Sequence, residues 1–123
     1  MSFKTLLAYQ KAFELSMEVF ELTKSFPKEE TYSLTDQIRR SSRSICTNIA
    51  EAYRKRAYQK HFISKLTDAD SENSETQVWI DFSNSCSYIN IELQQNLTTK
   101  SIEVGKLINF MIANPEKFGV KKL

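Results

Sequence analysis

The chain contains very little that would interrupt a helix. Its two prolines, Pro27 and Pro115, fall between or after long unbroken segments, and its two glycines, Gly105 and Gly119, both lie late in the sequence. Such a composition suits helices and starves β-turns of the residues that their backbone angles demand. The strict alternation of apolar and polar residues expected of a half-buried strand is absent throughout. With 123 residues, the chain is the size of one domain, residues 1–123, with enough length for a real core. The expected class is all-α.

Hydrophobic spacing divides the chain into four helices. From Phe3 to Ser25, Leu6, Tyr9, Phe13, Met17 and Phe20 recur at three and four residues, with Leu15, Val19 and Leu22 as a second stripe. Phe26-Pro27 ends this helix, because the residue before a proline is pushed out of the α region. Ser33 and Asp36 resemble a capping box that starts a second helix. Leu34, Ile38, Ile45, Ile49 and Tyr53 would form its inner face, with Ser41, Ser42 and Cys46 as small residues that permit close approach. Its end falls somewhere within Ala52 to Ala57.

A third helix is expected from Tyr58 to about Ser83 on the spacing of Phe62, Leu66, Ala69, Asn73, Gln77 and Ile80. Its middle, Thr67 to Gln77, is polar enough to be either a solvated face or a polar interface. Asn84 to Asn90 is a turn, and Ile91 to Ala113 a fourth helix carrying Leu97, Val104, Leu107, Ile108, Met111 and Ile112. The tail from Glu116 is expected to fray. Four amphipathic helices on short connections pack most economically as an up-down-up-down bundle.

Charge is segregated along this pattern. The total is only +2, too balanced for a chain that binds polyanions over its whole surface. Between Arg39 and Lys65, however, eight basic residues face the single acid Glu51, whereas from Asp68 to Glu103 seven acids face the single base Lys100. Cys46 and Cys86 have no metal-ligand spacing, and no apolar run reaches membrane-spanning length. The expectation is a cytoplasmic protein with reduced thiols and no membrane partner.

Several segments carry a family resemblance: Tyr9-Gln10-Lys11-Ala12, Phe26 to Glu30 (FPKEE), Leu34 to Arg40 (LTDQIRR), Ser44 to Ala52 (SICTNIAEA) and Phe62 to Leu66 (FISKL). In order and spacing the chain resembles the bacterial four-helix-bundle proteins encoded in intervening sequences of 23S ribosomal RNA genes. The family pattern has proline and glycine where this chain has Cys46 and Ala52, which should straighten the second helix. It also has glycine where this chain has Asp70, which puts the close helix contact there in question. The resemblance implies a left-handed bundle that assembles into a ring-shaped homo-oligomer, commonly a homopentamer. A related branch, the accessory protein of diversity-generating retroelements, implies nucleic-acid binding through a basic surface.

The candidate nucleic-acid-binding residues are Arg39, Arg40, Arg43, Arg54, Lys55, Arg56 and Lys60. A row of guanidinium groups contacts successive phosphates bidentately, and each neutralised phosphate releases counterions. Tyr53 and Tyr58 could stack on unpaired bases. The alternative is that these arginines pair with Asp68, Asp70, Glu72 and Glu75, so that the protein is a structural interaction module whose basic and acidic faces hold its oligomer together. Asn48 and Glu51 read as a structural polar network that fixes helix packing. No catalytic residue, metal or cofactor is expected. His61 is the only histidine, no E-x-x-H pair occurs, and isolated glycines make no phosphate loop.

Overall fold

The structure, a computed structural model, describes residues 2–121, and every regular element in them is helical. A 3-10 turn at Phe3–Thr5 leads into α1 (Leu7–Thr23), and a second at Lys28–Glu30 precedes α2 (Leu34–Arg54). Then follow α3 (Gln59–Ser85), α4 (Ile91–Ala113) and a last 3-10 turn at Pro115–Phe118. Side-chain pairs give the topology. On the α1–α2 edge Ser16 meets Ser42 while Thr23 meets Arg39. On the α2–α3 edge Arg40 reaches Glu75 while Glu51 reaches Lys65, and on the α3–α4 edge Asn73 meets Ser101 while Asp81 meets Gln94. In each pair one number rises as the other falls, so neighbouring helices run antiparallel. α1 also packs on α4, through Glu18 and Lys100, which closes the four-helix bundle. Among the described residues no helix is long and apolar enough to cross a membrane.

The inner face of α2 matches the sequence pattern residue for residue: Leu34, Ile38, Ser41, Ser42, Ile45, Cys46, Ile49 and Tyr53 are all buried. α1 is turned part of the way from expectation. Leu6, Leu15 and Val19 are buried as the spacing predicts, but they are joined in the core by Ala8, Ala12 and Ser16, whereas Phe13 and Met17 are 50% and 44% exposed. Small residues win the interior because α1 lies close to α2, with Ser16 Oγ 3.4 Å from Ser42 Oγ, and aromatic rings in that seam would force the helices apart.

The polar middle of α3 divides between the two readings left open. Asp68, Ser71 and Ser74 are exposed, while Asn73 and Thr76 are buried in helix interfaces. Thr76 Oγ1 lies 2.9 Å from Ser41 Oγ of α2. Towards α4, Asn73 Nδ2 donates to the Ser101 carbonyl (2.9 Å), Ser101 Oγ donates to Asn73 Oδ1 (2.8 Å), and Gln77 Nε2 donates to Ser101 Oγ (2.9 Å). The α3–α4 approach questioned by Asp70 is made by Gly105 of α4, where an added Cβ would stand 3.2 Å from Asn73 Nδ2.

Two expected ends are corrected. Ser33 does not cap α2. Its hydroxyl donates to Glu30 Oε1 (2.5 Å), and the same oxygen accepts the Leu34 N–H (3.3 Å), so a carboxylate takes the place of the hydroxyl at the positive end of the helix. Tyr88 O–H donates to Glu30 Oε2 (2.9 Å) and ties the α3–α4 connection to this start. The tail does not fray over its described part, because Gly119 adopts φ 85° and turns Val120 into the core, where it is buried beside the bundle residues. The last two residues of that expectation, 122–123, lie outside the described residues.

Candidate nucleic-acid interface

The seven basic residues singled out in the sequence separate into three groups. Arg39 is half-buried and belongs to the α1–α2 seam. Its Nε donates to Thr23 Oγ1 (2.7 Å), Nη2 donates to the Phe20 carbonyl (3.4 Å), and the guanidinium lies 4.8 Å from the Phe20 ring centre. Arg56 is likewise engaged, with Nε donating to the Tyr53 carbonyl (2.7 Å) and its plane 3.7 Å from the Tyr53 ring centre. Both are engaged in packing within the chain, which leaves Arg56 no open face and Arg39 only its edge on the groove described below, a correction to their assignment as open phosphate contacts.

Arg40 forms the second group. It bridges to Glu72 (3.4 Å) and Glu75 of α3, which answers the pairing alternative for this one arginine. Asp68 and Asp70 take no part in pairing the arginines among the described residues.

Arg43, Arg54, Lys55 and Lys60 form the third. Among the described residues, no carboxylate lies within salt-bridge distance of any of them. At 100° per residue, Arg43, Thr47 and Arg54 fall on one outward stripe of α2. Arg43 lines a shallow groove of about 540 Å³ along that face, together with Thr31, Thr35, Asp36, Arg39, Arg40, Ser44 and Thr47. Where α2 hands over to α3 there is a second concavity of about 300 Å³, lined by Lys55, Lys60, His61, Ser64 and Lys65. Lys65 pairs with Glu51 at 3.0 Å, and that carboxylate holds its ammonium above the usual lysine range. His61, Ser64 and Lys65 were not among the candidates. Their signal was the i, i+4 spacing of Lys60 with Ser64 and of His61 with Lys65, which puts four polar side chains on two turns of α3.

Of the two tyrosines, only Tyr58 is available to a base. It is 65% exposed and its ring centre is 5.7 Å from that of His61, whereas Tyr53 is 5% exposed and covered by Arg56. Asn48 and Glu51 do not share a network. Asn48 Nδ2 donates to the carbonyl (2.9 Å) and hydroxyl (3.1 Å) of Ser44 on its own helix, and among the described residues the exposed Glu51 side chain pairs across helices with Lys65. The polar network that fixes packing is Asn73–Ser101–Gln77 instead. Among the described residues no group of three or more His, Cys, Asp or Glu side chains could hold a metal ion.

An antiparallel four-helix bundle with an open cationic groove along its second helix defines a class of small helical protein. Comparison makes the class specific: the model of the 23S rRNA-intervening sequence proteins matches residues 4–110, and the chain belongs to that family. It is also similar to the crystal structure of a protein of unknown function from the S23 ribosomal protein family of Bacteroides thetaiotaomicron VPI-5482. That likeness has 30% identity and a TM-score of 0.79, over 87% of this chain and 96% of the other. No curated protein matches the chain.

Proposed function

We propose that this protein is a non-enzymatic helical-bundle protein of the cytoplasm that binds structured RNA or DNA electrostatically through the outer face of α2 and the α2–α3 corner. The observation that carries this reading is the absence, among the described residues, of any carboxylate partner for Arg43, Arg54, Lys55 and Lys60, although the acidic helix α3 packs alongside. Charges needed for the bundle's own cohesion would be paired, as Arg40 is. Guanidinium and ammonium groups without a carboxylate partner suit a phosphate backbone, Arg43 being steadied by the Phe20 ring 5.7 Å away, with affinity coming from counterion release and no base readout implied. The bundle is taken to be left-handed and to assemble as a ring-shaped homo-oligomer, a homopentamer, for which the exposed Phe13 and Met17 of α1 and Ile102 and Phe110 of α4 supply apolar surface.

A second reading, that the charged faces serve assembly itself, is favoured by Arg40 alone. One experiment separates the two. Labelled RNA and DNA duplexes and single strands are titrated with the protein by fluorescence anisotropy at several salt concentrations, and oligomer mass is followed by light scattering. The first reading expects the double variant Arg43→Ala, Arg54→Ala to keep its oligomer mass and to lose about two units of salt slope. Dissociation of the variant, with no nucleic-acid binding by the unaltered protein, would establish the second.

A further inference from the structure

The corner concavity differs in place and lining from the α2 groove. The groove runs along the outer face of α2, as a track for a chain of phosphates would, whereas the corner lies past the last turn of α2, where Lys55 meets the first turns of α3. Lys55, Lys60 and Lys65 bring three positive charges to this concavity and Glu51 subtracts one, which leaves two. A backbone phosphodiester carries one negative charge, while a phosphate monoester carries close to two at neutral pH. The Ser64 hydroxyl and the His61 ring add hydrogen-bonding groups. α3 also begins at this corner with no side-chain cap and no acid in its first turn, so nothing on the helix competes with an anion for its first N–H groups.

We infer that this corner seats a terminal phosphate monoester of a bound strand, with Tyr58 stacking on the terminal base. The inference rests on the nucleic-acid reading above and adds an end preference to it. It also sets a minimum length. Lys55 lies twelve residues beyond Arg43, about 18 Å along the helix and about 120° round it, and a strand that rises about 3.4 Å per nucleotide needs at least about five nucleotides to reach from corner to groove.

The test compares oligonucleotides of one sequence that carry a 5′-phosphate, a 3′-phosphate or hydroxyls at both ends, with the label placed internally. One monoester is expected to bind about ten-fold more tightly than the hydroxyl-ended strand, the worth of one further charge-assisted contact. The double variant Lys55→Gln, Lys60→Gln should bring that ratio to one, and Arg43→Ala should weaken all strands while leaving the ratio in place. Equal binding of all three strands by the unaltered protein, or a ratio that survives the lysine substitutions, overturns the inference and leaves the α2 groove reading standing. Failure of every strand to bind overturns both.

Discussion

α2 and α3 pack against each other along most of their length, yet they bury different chemistry. α2 turns inward a mostly apolar stripe in which the polar members are the hydroxyls of Thr35, Ser41 and Ser42, whereas α3 turns inward Phe62, Leu66, Ala69 and Ile80 interrupted by Asn73, Thr76 and Ser83, an amide among them. The contrast shows two ways of specifying a seam. The seams of α2 are held chiefly by area removed from water, which is strong and tolerant of small shifts, and the α3–α4 seam also by the directional hydrogen bonds of Asn73, Gln77 and Ser101, which fix register but contribute less once desolvation is counted.

The contrast can be put to the test by substitution. Ile45→Ala on α2 should cost about 2–5 kcal/mol in urea denaturation, because a fully buried branched side chain is lost from a close-packed site. Asn73→Ala on α3 should cost less, about 1–3 kcal/mol, most of it from Ser101 groups left unsatisfied. Equal costs would erase the distinction. Gly105→Ala sharpens it. Alanine ordinarily gains about 1 kcal/mol over glycine inside a helix, but here its Cβ meets an Asn73 amide that two hydrogen bonds to Ser101 hold in place. The substitution should destabilise the protein as it stands and stabilise it once Asn73→Ala is present, a reversal of sign that a double-mutant cycle reads directly.

A smaller effect is expected where the start of α2 meets the end of α3. Glu30 is held below its usual range, first by the Ser33 hydroxyl and then by the Tyr88 hydroxyl and the Leu34 N–H. Its contribution is therefore complete above the ordinary carboxylate value of 4.5 and is lost as pH falls through the lower folded value. Tyr88 is pushed up to about 12, chiefly by its bond to Glu30, so its contribution is complete below pH 10 and lost as pH rises towards 12. The alkaline fall in urea midpoint is shared, because the buried Cys46 thiol is raised from 9.0 to about 11 and the Lys65 ammonium is raised by Glu51, so it begins near pH 9. Tyr88→Phe should reduce both the acid and the alkaline fall, and an alkaline fall of undiminished size would assign it to those other groups. Smallest of all, Arg40→Ala should change stability by no more than about 1 kcal/mol, since its side chain is half exposed in its pair with Glu72 and Glu75.

The same difference in chemistry explains what the sequence made legible. Every residue expected on the α2 inner face is buried, with only Thr35 and Ala52 missed, because a branched apolar residue at helical spacing has one place to go. α4 could be bounded to the residue, Ile91 to Ala113, because Asn90 and Asn114-Pro115 mark its ends, and Asn90 does cap it by accepting the Leu93 N–H at 2.8 Å. The α1 stripe was misjudged because hydrophobicity ranks Phe13 and Met17 above Ala8 and Ala12, while the close α1–α2 approach selects for size. Thr76 and Ser101 were invisible as interior residues, since a hydroxyl gives no sign of burial until its partner on another helix is known. In the candidate site, the residue types were legible and their engagement was not. Arg39 and Arg43 share the Phe20 ring and differ in that Arg39 also reaches Thr23 of α1, which becomes relevant only once the helices are placed, while the local contact of Arg56 with Tyr53 depends on how α2 ends.

Cysteine chemistry follows the same division of surroundings. Burial pushes the Cys46 thiol up to about 11, while Cys86 is exposed. A thiol reagent at neutral pH should therefore modify Cys86 and spare Cys46 in the folded protein, and prompt labelling of Cys46 would mean that the α2 seam opens.

The turn at Gly119 has a bearing on how the α2–α3 connection is held. A Cβ at that position would stand 3.2 Å from Arg56 Nη1, so the chain's last described residues lie directly behind the stretch that joins α2 to α3, and Val120 is sealed into the core beside them. The last described turn therefore braces Arg56, and through it the stretch between α2 and α3, from a part of the chain far away in sequence.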